Sequence, residues 1–169
     1  MRKIRLFIAC SLDGFIASEN GEIDWLFTGG DYGYKKFYDS VDTALMGRKT
    51  YELGIKLGEK YTKKRNIIFT RRKNLKKVGN AEFVRDIIPF TRKLKREKGK
   101  DIWLVGGGGI VSILLNNDLI DEMQIFVHPF VLGKGIPLFP KVKKDVKLKL
   151  TKIFAFRDGL VRLGYIVLK

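Results

Sequence analysis

The chain runs Val105-Gly106-Gly107-Gly108-Gly109 between two apolar stretches, Asp101–Val105 and Ile110–Asn116. Where a strand feeds a helix through a turn without side chains, the first backbone N–H groups of the helix are unsatisfied and carry partial positive charge, so a pyrophosphate can approach and be held. A tight turn packing helix on strand also uses glycine, for its positive φ, but a run of four exceeds what one turn requires. The run is not an ordinary dinucleotide fingerprint, which would open the first βαβ unit rather than lie two-thirds of the way along the chain. Met46-Gly47-Arg48-Lys49-Thr50 has the same strand–glycine–helix form. Its two cations oppose the helix dipole unless an anion sits beside them, so the segment is either a second phosphate contact or a solvated Arg-Lys pair. Phe69-Thr70-Arg71-Arg72-Lys73 places a hydroxyl and three cations just past another apolar run. A guanidinium fork suits a monophosphate; the 2′-phosphate of NADP is a natural occupant, and an exposed basic loop is the alternative.

Asp13 and Asp31 are the acids nearest the glycine-marked loops at the amino end. A partly buried carboxylate there can protonate or orient a heterocycle; equally, Asp13 reads as a turn residue and Asp31 as a helix N-cap. His128 stands alone and reads as a structural residue on a strand, so no metal site is expected. Cys10 reads as a core residue.

Alternating strand and helix patterns position these groups. Ile4–Cys10, Thr43–Met46, Asn66–Thr70, Asp101–Val105 and Glu122–His128 read as buried strands. Helices are expected near Tyr32–Tyr38, over Arg48–Leu57, over Ile87–Glu97 and over Ile110–Asn116. Val146–Phe156 and Leu160–Leu168 alternate as strands around Arg157-Asp158-Gly159, a hairpin signal. Such a pattern predicts an α/β fold with a largely parallel sheet and an antiparallel edge, whose ligands bind at the carboxyl ends of the strands.

With 169 residues, 45% of them hydrophobic, the chain suits one domain with a sizeable core. Twelve per cent aromatics exclude disorder as the main state. One cysteine excludes a disulfide scaffold and suits a reducing cytoplasm. No apolar run approaches the ~20 residues of a membrane span, and Ser11 and Asp13 break the only stretch resembling a signal peptide. The expectation is one soluble cytoplasmic domain. Against this, 34 Lys and Arg face 18 Asp and Glu, a net charge of +16. That charge points to an anionic partner, whether nucleic acid, acidic membrane or a phosphorylated small molecule, or to a lysine-rich surface of the thermophile kind, which the single Gln124 and single Cys10 also suit. A basic nucleic-acid-binding domain would show a helix-turn-helix, an aromatic RNA-binding motif or a zinc site, and none is present. Arg48-Lys49 and Arg71-Arg72 sit beside glycine-marked strand ends, whereas Arg92–Lys100 and Lys141–Lys152 read as surface. The charge therefore points to a small anionic ligand rather than to a polymer or a membrane.

Taken together, Leu12-Asp13-Gly14, Met46-Gly47-Arg48-Lys49-Thr50-Tyr51-Glu52, Asn66–Thr70, Val105–Gly108 and Phe139-Pro140 resemble, in order and spacing, the dihydrofolate reductases. Ser11–Ala17 and Pro129–Phe139 instead look like the reductase domain of bifunctional riboflavin-biosynthesis deaminase–reductases. The resemblance spans essentially residues 1–169. It implies a single domain with a mixed, mostly parallel sheet of about eight strands flanked by helices and closed by an antiparallel hairpin. It implies NADPH as hydride donor, with Ala9 and Ile16 lining the nicotinamide. Gly47, Arg48, Lys49 and Thr50 would bind phosphate at one helix start and Gly107, Gly108, Gly109 and Ile110 at another, with Thr70 and Arg71 facing the 2′-phosphate. Asp31 stands 15 residues before Met46, where the dihydrofolate reductases carry the acid that binds the pterin and assists its protonation, and Trp25 would stack on a flat heterocycle. The substrate implied is a small molecule, a riboflavin-pathway ribosylaminouracil phosphate, with dihydrofolate as the alternative. Pairing through a sheet edge into a homodimer is implied as well.

Overall fold

The computed structural model describes Met1–Lys169. Ten strands and four helices follow in the order β1 (Ile4–Ser11), β2 (Phe15–Ala17), α1 (Tyr34–Asp39), β3 (Val41–Gly47), α2 (Arg48–Lys56), β4 (Arg65–Phe69), β5 (Ala81–Val84), α3 (Ile87–Arg96), β6 (Asp101–Gly106), α4 (Gly108–Asn116), β7 (Glu122–His128), β8 (Ile136–Pro137), β9 (Leu148–Ala155) and β10 (Val161–Val167). Eight of the strands form one sheet in the order β5-β4-β3-β6-β1-β7-β10-β9, and β2 pairs with β8 beside it. β5, β4, β3, β6, β1 and β7 pair in parallel, while β10 runs antiparallel to both β7 and β9. The expected α/β architecture and its terminal hairpin are therefore present.

Alternation along the strands divides the core in two. On one face Leu6, Leu45, Ile67 and Leu104 pack against Leu94 of α3 and Val111 and Leu114 of α4. On the other, Ala44, Met46 and Ile68 pack against Tyr51 of α2, and Phe37 of α1 stacks on Phe7 at 4.2 Å. Each such Leu, Ile, Val, Met or Phe side chain, fully buried, contributes about 1.5–3 kcal/mol before entropy is counted. No helix is long and apolar enough to cross a membrane.

Several expectations need correction. Helix α4 starts at Gly108, two residues ahead of the expected Ile110, because Gly107 serves as its N-cap and Gly108 is packed in its first turn. Helix α1 begins at Tyr34 rather than near Tyr32, since Tyr32 and Gly33 both adopt positive φ. The short strands β2, β5 and β8 carry too few residues for a period to register in sequence. Lys95, inside the stretch read as surface, is 6% exposed and pairs with Asp121. Arg2 is buried too, on Asp42 and Thr43.

Candidate cofactor and substrate site

Three segments, Thr70–Lys73, Gly47–Thr50 and Gly107–Ile110, meet at one end of the sheet. Because β4, β3, β6 and β1 are adjacent and parallel, the residues that follow them line up in that order: Thr70 and Arg71, then Gly47–Thr50, then Gly107–Ile110, then the carboxyl end of β1 with Ala9. Three strand spacings separate the outermost, ~14 Å, a span suited to an extended dinucleotide.

The two helix starts are tied together. The Thr50 hydroxyl accepts the Gly107 N–H at 3.1 Å, and Gly47 leaves room for Ile110, whose Cγ1 would lie 3.3 Å from a Cβ there. Arg48 donates to Glu52 at 2.6 Å, so its charge is partly met within α2, whereas Lys49 has no carboxylate partner. The glycines after β6 have separate reasons. Gly106 has a φ of 133° with Ile8 close by. A Cβ on Gly108 would strike the Pro137 carbonyl oxygen, and would lie 2.9 Å from Pro140 Cδ and 3.1 Å from the Leu138 oxygen. Gly109 has nothing within 4 Å of such a Cβ. It is exposed at the helix start, where the Gly108 and Gly109 N–H groups have no intrahelical acceptor, and no packing in the protein requires glycine there. The residues present fit a pyrophosphate. At the far end Thr70 Oγ1 accepts the Arg72 N–H at 3.0 Å, which turns the chain just past β4 and leaves Arg71 and Arg72 exposed.

The two acids are both held by backbone. Asp13 accepts from the Ser11 hydroxyl at 2.6 Å and from the N–H groups of Leu132 (3.1 Å) and Gly133 (2.7 Å), tying the β1–β2 turn to the 129–135 loop. Those bonds, the Ser11 hydroxyl first, hold its carboxyl below the usual range. Asp31 accepts from Gly33 N–H at 3.0 Å and Lys35 N–H at 2.9 Å, closing the first turn of α1 although Gly33 is the residue at the cap position. Beside it, Tyr32 donates to Asp158 at 2.5 Å and clasps this loop to the β9–β10 hairpin. Ala9 and Ile16 are partly buried, and Ile16 packs against the core.

Trp25 is 9% exposed and meets His128 edge-on at 5.5 Å, while its indole N–H is buried without a partner. His128 lies against the Phe126 carbonyl through Nδ1 (3.3 Å), and its Nε2 accepts the Phe27 N–H (3.2 Å). Those partners define a neutral ring protonated at Nδ1, and burial keeps its pKa below 6.5. A group whose folded pKa is depressed stabilises the fold above its unfolded pKa and ceases to do so as pH falls through the folded value. The Trp25–Phe27 segment is therefore expected to loosen as pH drops below 6.5. A fluorescence titration of Trp25 checks this, with His128→Phe abolishing the transition; an unchanged transition in that variant refutes the assignment.

Beside the glycine-marked ends, a cavity of about 390 Å³ opens between α1, α2 and strands β3 and β6. Thr50, Met46 and Val105 line it at the carboxyl ends of the strands, and Tyr34, Tyr38 and Trp103 contribute aromatic wall. Tyr34 and Tyr38 are four residues apart on α1 and so share a face; their ring centroids lie 5.5 Å apart, and those of Tyr34 and Trp103 5.8 Å. Burial pushes the Tyr34 hydroxyl up to about 12, so it serves as a donor near neutrality. These three aromatics escape sequence reading because their types look like core; the i, i+4 tyrosine pair on a short polar helix was the available signal. Neither Asp13, Asp31 nor Trp25 lines the cavity.

The profile of the RibD C-terminal domain matches residues 2–162. Protein YwjB of Bacillus subtilis is 43% identical over 98% of this chain and 98% of its own. Among solved structures, a Shewanella sp. PV-4 protein assigned to riboflavin biosynthesis superposes with a TM-score of 0.87 at 26% identity, over 99% of both chains. An Enterococcus faecalis dihydrofolate reductase complexed with NADP(H) superposes with a TM-score of 0.73 at 14% identity, over 99% of this chain and 97% of its own; that likeness concerns the fold.

Proposed function

Because the chain belongs to the RibD C-terminal domain family, we propose that it is a cytoplasmic NADPH-dependent reductase of a pyrimidine- or pterin-type heterocycle, of the riboflavin-pathway kind that acts on 5-amino-6-(5-phosphoribosylamino)uracil. The observation that carries the reading is the line of strand ends from Thr70 to Ala9, with Gly109 open above a helix start. Bound along that line, NADPH supplies a hydride from the nicotinamide C4. Gly108 and Gly109 offer free backbone N–H groups to the pyrophosphate, Lys49 and Arg48 add positive charge, and Thr50 fixes the two helix starts relative to each other. Arg71 and Thr70 take the 2′-phosphate; Ala9 and Ile16 shape the nicotinamide end. The aromatic cavity holds the substrate ring beside that end, so the enzyme's contribution is proximity and exclusion of water. Trp25, packed on His128 away from that cavity, supports the neighbouring loop rather than stacking on the substrate ring.

Calorimetry with NADPH, followed by loss of NADPH absorbance with the phosphoribosylaminouracil and with dihydrofolate, tests the proposal. Absence of NADPH binding refutes it, and turnover of dihydrofolate alone favours the dihydrofolate reductase reading, which the tyrosine-walled cavity also suits. Steeply salt-dependent binding of DNA or RNA without NADPH binding would favour the nucleic-acid reading instead. Asp31→Asn separates two roles for that residue. Asparagine can still cap a helix, so a positioning role leaves kcat within about threefold, the outcome the backbone bonds of Asp31 favour. Loss of about 100-fold or more would assign it general-acid work.

The edge strand β9 is exposed along its whole length, Leu150, Ile153 and Phe154 included. A homodimer pairing through this edge would cover it, and sedimentation equilibrium with Ile153→Lys tests that arrangement; a parent that stays monomeric rules it out.

A further inference from the structure

The loop that joins β4 to β5, Thr70–Asn80, carries Arg71, Arg72, Lys73, Lys76 and Lys77 and no acid. All five cations are exposed, and none forms an ion pair within the protein. Like charges at this density repel one another and favour an expanded chain, so the fold must hold the loop in place.

The two ends are secured first. Thr70 N–H donates to the Val84 carbonyl at 2.9 Å, and at the return Asn80 N–H donates to the Tyr61 carbonyl at 3.1 Å. Asn80 Oδ1 also accepts from Asn66 Nδ2 at 2.7 Å. Between those ends, residues 73–77 make one hydrogen bond to the rest of the fold: the Tyr51 hydroxyl donates to the Lys76 carbonyl at 2.9 Å. The same oxygen accepts the Val78 N–H, also at 2.9 Å. Tyr51 is 1% exposed, its ring lies against those of Tyr61 and Phe83 at 4.9 and 5.7 Å, and its carbonyl accepts the Tyr61 hydroxyl at 3.1 Å. Held in this way, its hydroxyl commits one donor and one acceptor role to the loop. The preceding residue reaches the other way, Thr50 accepting the Gly107 N–H. Because β3 lies between β4 and β6, two consecutive residues of α2 tie its start to the segments on both sides.

We infer that Tyr51 is a positioning residue for cofactor choice. Its hydroxyl holds the returning limb of the loop in register with α2 while Thr70 holds the outgoing limb, so the loop cations, Arg71 first among them, meet the 2′-phosphate of NADPH already assembled. A self-repelling loop is thereby ordered on folding rather than on binding. NADH makes no such contact and is indifferent to the latch. The inference rests on the assignment of the 2′-phosphate to Thr70 and Arg71 above.

Calorimetric binding of NADPH and NADH tests it without need of a substrate. Tyr51→Phe is expected to weaken NADPH about fivefold or more and NADH less than about twofold. Tyr61→Phe removes a hydroxyl bonded to the same helix; it is expected to lower Tm and to leave the NADPH/NADH ratio within about twofold of the parent. An unchanged ratio in Tyr51→Phe, or an equal change in Tyr61→Phe, overturns the inference. A preference for NADPH that Arg71→Gln removes and Tyr51→Phe keeps refutes the inference alone, whereas a parent without that preference refutes the 2′-phosphate assignment and the inference with it. Hydrogen exchange in the parent gives a second reading, independent of whether Tyr51→Phe folds. By reciprocity of coupling, the Val78 amide is expected to exchange about threefold or more slowly at saturating NADPH than at saturating NADH; equal exchange overturns the inference.

Discussion

Gly108→Leu is expected to destabilise the fold severely, whereas Gly109→Leu leaves it intact and loses the cofactor. At Gly108 the added side chain meets the backbone carbonyls of Pro137 and Leu138 and the Pro140 ring, none of which can rotate away. Overpacking of this kind costs about 1–3 kcal/mol even where neighbours yield, and rigid neighbours put this site at or above the upper figure. A chain of this size loses roughly 2–4 °C of Tm per kcal/mol, so a fall of about 10 °C or more is expected by calorimetry. At Gly109 the space is open and leucine favours the helix over glycine by somewhat under ~1 kcal/mol, so Tm holds or rises. NADPH affinity, however, is expected to fall about tenfold or more, because the side chain occupies the approach to the free N–H groups. A Gly109→Leu protein that binds NADPH like its parent would show that the pyrophosphate lies elsewhere. A Gly108→Leu protein of unchanged Tm would show that the α4 turn is less tightly seated on the Pro137–Pro140 loop than the structure has it.

Arg71→Gln is expected to abolish the preference for NADPH over NADH. Hydrogen bonds to a charged group contribute about 1.5–3 kcal/mol, which is roughly 10–150-fold in kcat/KM with NADPH. NADH carries no 2′-phosphate, so its kcat/KM should move by less than about twofold. Arg72→Gln serves as the comparison. Arg72 donates its N–H to Thr70, and if its side chain rather than that of Arg71 carried the phosphate, the large loss would appear there. Equal losses with both cofactors in both variants would mean that the loop positions β4 rather than the ligand.

Much of this site is legible along the chain because it is local. A strand, a glycine and a helix start are consecutive residues, and their unsatisfied N–H groups follow from covalent order; so Met46–Thr50, Val105–Ile110 and Thr70–Arg72 stand out as candidate anion sites. The hairpin around Arg157-Asp158-Gly159 and the strand Glu122–His128 are equally local and appear at or within a few residues of their expected bounds. The four-glycine run shows where this ends. In sequence Gly106–Gly109 are equivalent; in the fold Gly106 satisfies a backbone angle, Gly108 a packing contact from a loop some thirty residues away, and only Gly109 faces open space.

What the sequence determined, then, was the type and order of the elements and the chemistry of each strand end, since period, turn residues and charge are properties of neighbouring residues. What only the tertiary structure decided was which ends lie side by side and which residues wall the cavity. The order β4-β3-β6-β1 aligns three separate segments into one track, and the packing of α1 and α2 on the same sheet face turns Tyr34, Tyr38 and Trp103 from apparent core into cavity wall. It also holds Asp13 and Asp31 on backbone amides and buries Lys95 amid a surface-like charge run. The physical reason is that juxtaposition across a sheet depends on non-local pairing, which no local propensity encodes.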